Sequence, residues 1–249
     1  MRSTDAAVQR FGAVMAGLES ELDWELLAAE YCEGDSRGFF DEARRLLVLD
    51  TGLRFADELA EKLAANGKSL YLGAAVAELP CLLVESLVLG REVHWLNLES
   101  GELRELRRAL AAVAERTGIA LPAPSAAGLL SVAPSSCDHL WMVSVLSDPD
   151  HFPALHDELY ERRGGELGTG RGVLEDDARR AEDLVVALLS RATSTCTLTT
   201  SDEELGFLHE IVQRLGWTIE IPEASRTSAL VGDEVRHCRL LRSREAGRR

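Results

Sequence analysis

The sequence predicts an α/β fold: a doubly wound, mostly parallel, seven-stranded sheet with a terminal antiparallel hairpin, preceded by an N-terminal helical segment. Three observations predict it. Up to residue 67, apolar residues recur at the spacing typical of helices. From Lys68 onward, short apolar runs alternate with helical patterns. The last two apolar runs, Trp217–Ile221 and Glu234–Leu241, have no room for a helix between them, so we expect them to pair antiparallel.

The N-terminal segment is predicted to form two or three helices. The first has an apolar stripe that includes Val8 and Leu26. The second extends over about 40–63, and Gly52 is expected to kink or interrupt it. These helices are expected to pack on the sheet, or alternatively to cover a site. The predicted domains are the helical segment 1–67, an α/β domain over 68–242, and a basic tail over 243–249 that is expected to be disordered.

The middle of the chain alternates strands and helices. Pro80 stands in the first turn of the helix predicted over 78–89, where proline is tolerated. Ser100 is the predicted N-cap of the next helix, and Gly118 its predicted stop. The predicted elements are a strand over Ser69–Leu72, a helix over 78–89, a strand over Glu92–Leu98, a helix over 101–116 and a weak strand over Ile119–Leu121.

The clearest strand of the second half is Asp138–Leu146, because its near-continuous apolar centre suits a strand buried on both faces. A short helix is expected to follow, ending near residue 163. Five glycines in Gly164–Gly172 predict a flexible loop, either a plain linker or a mobile lid, which lacks the ending of a phosphate-binding loop. The remaining predicted elements are a helix over 175–192, a strand over Thr193–Thr200, a helix over 203–215 and the two terminal strands.

Composition excludes several classes of function. A net charge of −15 and a pI of about 4.9 disfavour non-specific nucleic-acid binding, which needs a basic surface, and leave a local basic groove as the alternative. The five cysteines have no metal-ligand spacing and are expected to be reduced, buried thiols. No signal peptide is recognisable, and no apolar run approaches the ~20 residues that a membrane span needs. We therefore expect a soluble, cytoplasmic protein that binds no metal, nucleic acid or membrane, with its oligomeric state left open.

The stretch Lys68–Pro80 is the strongest candidate for a site. A short apolar run ends at Gly73, small residues follow, and a helical pattern then begins. Small side chains at such a turn let a ligand lie against bare backbone beside a helix N-terminus. The alternative is a tight strand-to-helix turn that binds nothing.

From Lys68 to Leu241 the order of elements resembles that of the class I S-adenosylmethionine-dependent methyltransferases, whose sheet is Rossmann-like. In that family the turn after the first strand carries an acidic residue and three spaced glycines. Here Tyr71 stands near the acidic position, Gly73 matches the first glycine, and Ala75 and Ala77 stand at the later two.

Two further segments carry the resemblance. The family places an acidic residue at the end of the second strand to bind the ribose hydroxyls, and here Asn97 lies nearest that position with Glu99 two residues later. Strand periodicity predicts that these two side chains share a face. Ser125, followed by Ala126, stands near the position of the family's adenine-binding acid. For both segments, a purely structural role is the alternative.

The end of the strand Asp138–Leu146 would face the transferred methyl group, so Ser144 is expected to contact the cofactor and Asp148 and His151 are candidate catalytic residues. Asp148 precedes a proline and is equally suited to cap a helix. The cofactor-binding residues that the resemblance implies are Tyr71, Gly73, Ala74, Ala75, Ala77, Asn97, Leu98, Glu99, Ser125, Ala126 and Ser144.

The leading hypothesis is a methyltransferase that uses S-adenosylmethionine and acts on a small-molecule or protein acceptor. Its rival is a methyltransferase-like protein without catalytic activity that serves as a binding or interaction module. The altered glycine and acidic positions favour the rival, whereas the intact element order favours the enzyme. A nicotinamide-dependent oxidoreductase is a weaker third hypothesis, because it predicts a cleaner glycine fingerprint and no terminal antiparallel hairpin.

Overall fold

A computed structural model describes residues 2–32, 35–162 and 168–243. The chain divides into two compact units, which we call the first unit (Met1–Ala127) and the second unit (Gly128–Arg249). No helix in the described ranges is both long and apolar enough to span a membrane.

The first unit contains two parallel strands and five helices in its described residues. Its helices α1 and α2 pack against α5, and α3 packs against α4. Asp23 and Asp41 cap the N-termini of α2 and α3 through their carboxylates. The elements are α1 (Arg2–Glu21), α2 (Trp24–Tyr31), α3 (Glu42–Lys62), β1 (Lys68–Leu72), α4 (Leu79–Leu83), β2 (Glu92–Leu96) and α5 (Gly101–Thr117).

In the second unit, β3 and β4 are parallel, and β7 pairs antiparallel with β4, β5 and the short β6. All five cysteines are free thiols, and four of them are buried as predicted, whereas Cys32 is only half-buried. The elements are β3 (Cys137–Met142), α6 (Pro153–Leu159), α7 (Leu174–Leu189), β4 (Ala192–Ser201), α8 (Asp202–Arg214), β5 (Trp217–Glu220), β6 (Arg226–Thr227) and β7 (Glu234–Arg242).

The predicted fold class is confirmed: the chain is α/β with seven strands, has N-terminal helices, and ends in antiparallel strands. The predicted strand over Ile119–Leu121 is wrong. The chain leaves α5 at Gly118 and meets β2 only at Ser125, which forms an isolated bridge with Leu96. The strands predicted to end at Leu98 and Leu146 end at Leu96 and Met142. Irregular backbone follows each strand, and after Met142 it includes Ser144, whose φ is 55°.

Two helix predictions also need correction. The segment 78–89 is not one regular helix, since α4 lies between a 3₁₀ turn at Val76–Glu78 and a π-helical turn at Val84–Val88. Helix α3 runs through Gly52 without interruption. Gly52 is buried, and an added Cβ would stand 2.7 Å from the Ala77 carbonyl oxygen, so this glycine allows close helix packing.

The apolar stripe predicted for the first helix is confirmed only in part. Its buried face includes Ala7, Val14, Leu18 and Leu22, whereas Val8 is exposed. Leu26 is also exposed and lies in α2, because the predicted single helix is divided into α1 and α2 at Leu22–Asp23. The tail residues 244–249, residues 33–34 and part of the predicted glycine-rich loop, 163–167, lie outside the described ranges.

Candidate functional site

The turn after β1 is built around Gly73, whose φ of 74° favours glycine. Its N–H donates to the Leu96 carbonyl at 3.0 Å, so the turn is fastened to the end of β2. The next carbonyl, that of Ala74, accepts hydrogen bonds from Trp95 Nε1 and Asn97 Nδ2, each at 2.9 Å. The predicted strand–turn–helix start therefore forms, and three hydrogen bonds hold the backbone of its turn against the end of β2.

Two carboxylates, which we call the loop carboxylates, lie against the same turn. The Ala75 N–H donates to Glu78 Oε2 at 2.7 Å, and the Val76 N–H donates to Glu102 Oε1 at 3.1 Å. The Tyr31 hydroxyl, from α2, also donates to Glu102 at 2.8 Å. Among the described residues, neither Glu78 nor Glu102 forms an ion pair. Their hydrogen bonds are satisfied, but their negative charge is not balanced.

Burial changes the protonation of this pair. It raises the pKa of Glu78 to about 7, and the nearby Glu102 adds to the shift while the Ala75 N–H opposes it. Burial likewise raises the pKa of Glu102, against the Tyr31 hydroxyl and the Val76 N–H. A cation bound at this turn would stabilise the charged form of both groups.

The two other predicted cofactor segments lie beside the turn. Asn97 N–H donates to the Ser125 carbonyl at 3.0 Å, and Ser125 N–H donates to the Trp95 carbonyl at 2.9 Å. The structure therefore brings Gly73–Ala77, Asn97–Glu99 and Ser125 together at the carboxyl ends of β1 and β2, within the first unit.

Several side chains of these segments already have partners. Asn97 Oδ1 accepts from the Leu98 N–H at 2.7 Å, so both ends of the Asn97 amide are in use. Glu99 pairs with Arg107 at 2.8 Å, and Ser125 Oγ accepts from the Ala127 N–H at 3.1 Å. Because β2 ends before Asn97, strand periodicity does not extend to Glu99. Leu98 and Ala126 are exposed.

Tyr71 points away from this turn into a buried polar network. Its hydroxyl donates to Glu85 Oε1 at 2.6 Å, and Arg91 Nε lies 2.9 Å from Glu85 Oε2. Ser69 Oγ joins the same carboxylate. Both charged side chains of this pair are fully buried. The role of Tyr71 as a cofactor contact stays a prediction.

The predicted residues that follow β3 lie in the second unit. Asp148 Oδ1 accepts the N–H groups of Asp150 and His151 at 2.8 and 3.1 Å, and His151 Nδ1 lies 3.3 Å from it. Asp148 thus stabilises the turn that precedes α6, whereas the N-cap of α6 is Phe152, so the alternative prediction that Asp148 caps the helix is wrong. Ser144 has a φ of 55° and donates from Oγ to Asp233 Oδ2 at 2.7 Å. Their catalytic and cofactor roles stay predictions.

The described end of the glycine-rich loop is attached to α6. Asp157 accepts hydrogen bonds from the Thr169 and Gly170 N–H groups at 2.7 and 3.1 Å. Elsewhere in this unit, the Thr199 hydroxyl bridges His139 and His237 at 3.0 and 2.8 Å. All three residues are buried, so these histidines belong to the core between strands.

The sequence pattern missed the loop carboxylates. Glu78 directly follows the small residues of the turn, and this position was a usable signal. Glu102 follows the predicted N-cap Ser100 and fits equally well as a first-turn acid that favours the helix dipole. Tyr31 and Glu102 are 71 residues apart, so local spacing holds no sign of their contact.

No protein-family model matches the sequence, and neither does any curated protein. Solved structures that match in fold include TYW2 of Pyrococcus horikoshii in complex with MeSAdo, with 12% identity and a TM-score of 0.46 over 78% of this chain and 62% of that chain. The precorrin-6y C5,15-methyltransferase of Geobacter metallireducens has 15% identity and a TM-score of 0.42, over 86% of this chain and 94% of that one.

A SAM-dependent methyltransferase from Aquifex aeolicus matches with 11% identity and a TM-score of 0.45, over 82% of this chain and 96% of that one. TYW2 and three further matches are longer proteins, and this chain spans 41% to 64% of their length. TM-scores below 0.5 at such identities carry no argument about function, which therefore rests on the chain's own residues.

Proposed function

We propose that this chain is a methyltransferase that uses S-adenosylmethionine. The observation that carries the proposal is the convergence of three segments, Gly73–Ala77, Asn97–Glu99 and Ser125, at the carboxyl ends of two parallel strands. Ligands of open α/β sheets bind outside the carboxyl ends of their strands. Gly73, Ala75 and Ala77 are half-buried and have little or no side chain, so a flat or extended ligand could approach the turn closely at these positions.

Charge supports the choice of cofactor. S-adenosylmethionine carries a sulfonium and an ammonium group against a single carboxylate, so it suits a turn with excess negative charge. Glu78 and Glu102 provide that charge, and neither has a cationic partner among the described residues. A buried or half-buried carboxylate without such a partner is unfavourable, and a bound cation offsets that cost.

Each segment would hold a different part of the cofactor. Glu99 lies on the surface beside Arg107 and would accept from the ribose hydroxyls, while Asn97 holds the turn in place through Ala74. Ser125 would hydrogen-bond the adenine through its hydroxyl. When bound, the cofactor supplies an electrophilic methyl group, and the protein needs mainly to orient the acceptor in line with it.

The acceptor is proposed to be a small molecule or a protein. A hydroxyl acceptor benefits from a base, and His151 is the proposed base, oriented by Asp148 at 3.3 Å. If the acceptor is instead an amine or a thiol, this pair is dispensable. A net charge of −15 disfavours a nucleic-acid acceptor.

Calorimetric titration with S-adenosylmethionine and S-adenosylhomocysteine tests the proposal. We expect micromolar binding of the former, equivalent to about −8 kcal/mol. S-adenosylhomocysteine lacks the sulfonium charge and should bind more weakly if the loop carboxylates act through charge. Failure of both ligands to bind at millimolar concentration would overturn the proposal and leave the non-catalytic binding module.

The variant Glu102→Gln sharpens the titration. It keeps an acceptor for Tyr31 and Val76 but removes the charge, so S-adenosylmethionine affinity should fall by about tenfold, or 1.4 kcal/mol. Glu115→Gln is the matched control: it makes the same change at an exposed position on α5 and should leave affinity unchanged. Equal effects of the two variants would show that the loop carboxylates do not face the ligand.

A further inference from the structure

Three backbone N–H groups of the turn after β1 are already bonded within the chain. The Gly73 N–H donates to the Leu96 carbonyl at 3.0 Å, and the Ala75 and Val76 N–H groups donate to the loop carboxylates at 2.7 and 3.1 Å. Backbone N–H groups are the donors that hold a ligand carboxylate or phosphate at such a turn. An anionic group of a ligand would therefore reach Ala75 or Val76 only by displacing a side chain of its own charge.

The N-terminus of α5 is closed to anions in a similar way. Helix N-termini attract anions because their first N–H groups have no partner within the helix. Here Glu30 Oε2, from the last turn of α2, accepts from the Gly101 N–H at 3.2 Å, and Ser100 Oγ accepts from the Leu103 N–H at 3.0 Å. The nearby Glu30 also adds to the rise that burial causes in the pKa of Glu102. The chain's own carboxylates thus occupy donors on both elements that form the site.

Glu102 keeps one carboxylate oxygen for a donor from outside the chain. The Tyr31 hydroxyl and the Val76 N–H both donate to its Oε1, and Oε2 has no hydrogen-bond partner among the residues that the structure describes. Glu102 is only half-buried, and Oε2 retains contact with solvent. An ammonium group can donate to such an oxygen, whereas a carboxylate cannot.

We propose that this site selects an adenosyl sulfonium that carries an ammonium group but no carboxylate. The inference rests on the proposed function and concerns the end group that the site recognises. S-adenosylmethionine carries its ammonium and its carboxylate on one carbon, so the ammonium cannot approach Glu102 without bringing the carboxylate close to the like charges of Glu30 and Glu78. Decarboxylated S-adenosylmethionine keeps the adenosine, the sulfonium and the ammonium, and it lacks the group that is repelled.

Calorimetric titration of the full-length protein tests the selectivity. S-adenosylmethionine and its decarboxylated form are titrated separately at pH 7, where an α-amino group is still mostly protonated. We expect a dissociation constant at least tenfold lower for the decarboxylated form. An equal or lower dissociation constant for S-adenosylmethionine would overturn the inference.

The variant Glu30→Ala tests the cause of the selectivity. Glu30 is exposed, so the variant should fold normally, and the substitution frees the Gly101 N–H and removes one negative charge. S-adenosylmethionine then gains a donor for its carboxylate, whereas the decarboxylated form only loses an attraction. The ratio of the two dissociation constants should therefore fall at least threefold. Glu25→Ala, an exposed change on the same helix, is the matched control and should leave the ratio unchanged.

The outcomes separate this inference from the proposed function. If S-adenosylmethionine binds and the decarboxylated form has no advantage, the proposed function stands and the selectivity is overturned. If only the decarboxylated form binds, the selectivity is supported and the use of S-adenosylmethionine is overturned. Failure of both ligands to bind at millimolar concentration would overturn the proposed function and, with it, the selectivity. Equal changes of the ratio in Glu30→Ala and Glu25→Ala would also overturn the selectivity, because Glu30 would then act only through the net charge of the protein.

Discussion

Both units bury carboxylates, but they differ in how completely these groups are partnered. In the first unit, Glu85 is paired with Arg91, and the loop carboxylates Glu78 and Glu102 accept backbone N–H groups. No buried side-chain nitrogen or oxygen among this unit's described residues lacks a hydrogen-bond partner. In the second unit, Glu203 Oε2 and Ser147 Oγ have none. The described part of the first unit therefore satisfies its buried polar atoms more completely than that of the second.

The largest effect should come from breaking the Glu85–Arg91 pair. Arg91→Met leaves Glu85 buried without its cation and removes donors from the Ala64 and Lys68 carbonyls. We expect a loss of about 3–5 kcal/mol in the free energy of unfolding, measured by urea titration. Arg104→Met, at an exposed pair with Glu99, should cost less than about 1 kcal/mol. Similar losses of unfolding free energy for both variants would show that the buried Glu85–Arg91 pair stabilises the fold no more than an exposed ion pair does.

The local sequence pattern was sufficient to predict the strand and the tight turn that form the candidate site. A glycine directly after an apolar run predicted the tight turn at Gly73, and its positive φ is the physical reason why glycine is needed there. The antiparallel pairing of β5 with β7 followed from the short connection between them. Both features depend on residues that are close together in the sequence, so they can be predicted from the sequence alone.

The carboxylate groups depend on distant neighbours. Tyr160 and Asp233 are 73 residues apart, and Ser144 and Asp233 are 89 apart. Along the sequence, Glu203 and Glu204 fit a solvated helix start, where acids favour the dipole. Only the packing of α8 against β4 reveals that Glu204 is buried. Polar residues at helix ends are therefore where sequence reasoning most underestimates burial.

The next prediction concerns the pH dependence of stability, to which each unit contributes one buried glutamate with a raised pKa. Folding raises the pKa of Glu204 and of Glu78 to about 7, from an ordinary value of 4.5. Between these values the folded chain holds protons that the unfolded chain has released, so the free energy of unfolding falls as pH rises through about 7. Each group should account for roughly 3 kcal/mol of this fall.

Urea titrations at pH 5 and pH 8 measure the pH effect. Glu204→Gln and Glu78→Gln should each flatten the profile, because glutamine does not ionise, while the exposed Glu115→Gln should not. If Glu78→Gln flattened the profile and Glu204→Gln left it intact, the charge of Glu204 would already be balanced. The second unit would then no longer differ from the first in how completely its buried carboxylates are partnered.

The smallest effect is a matched pair of serine-to-alanine changes, one in each unit. Ser69 is buried and its Oγ contacts both Glu85 and Arg91 at the centre of the paired network, so Ser69→Ala should cost about 1–3 kcal/mol of unfolding free energy. Ser147 is buried too, but its hydroxyl lies only beside that of Tyr160 and forms no well-aligned hydrogen bond, so Ser147→Ala should leave stability nearly unchanged or raise it by up to about 1 kcal/mol. Because both substitutions remove the same atom from a buried position, their difference isolates the hydrogen bonds. A loss at Ser147 as large as that at Ser69 would mean that the Ser147 hydroxyl is fully hydrogen-bonded in the folded protein, and the difference in partnering between the two units would not hold at this position.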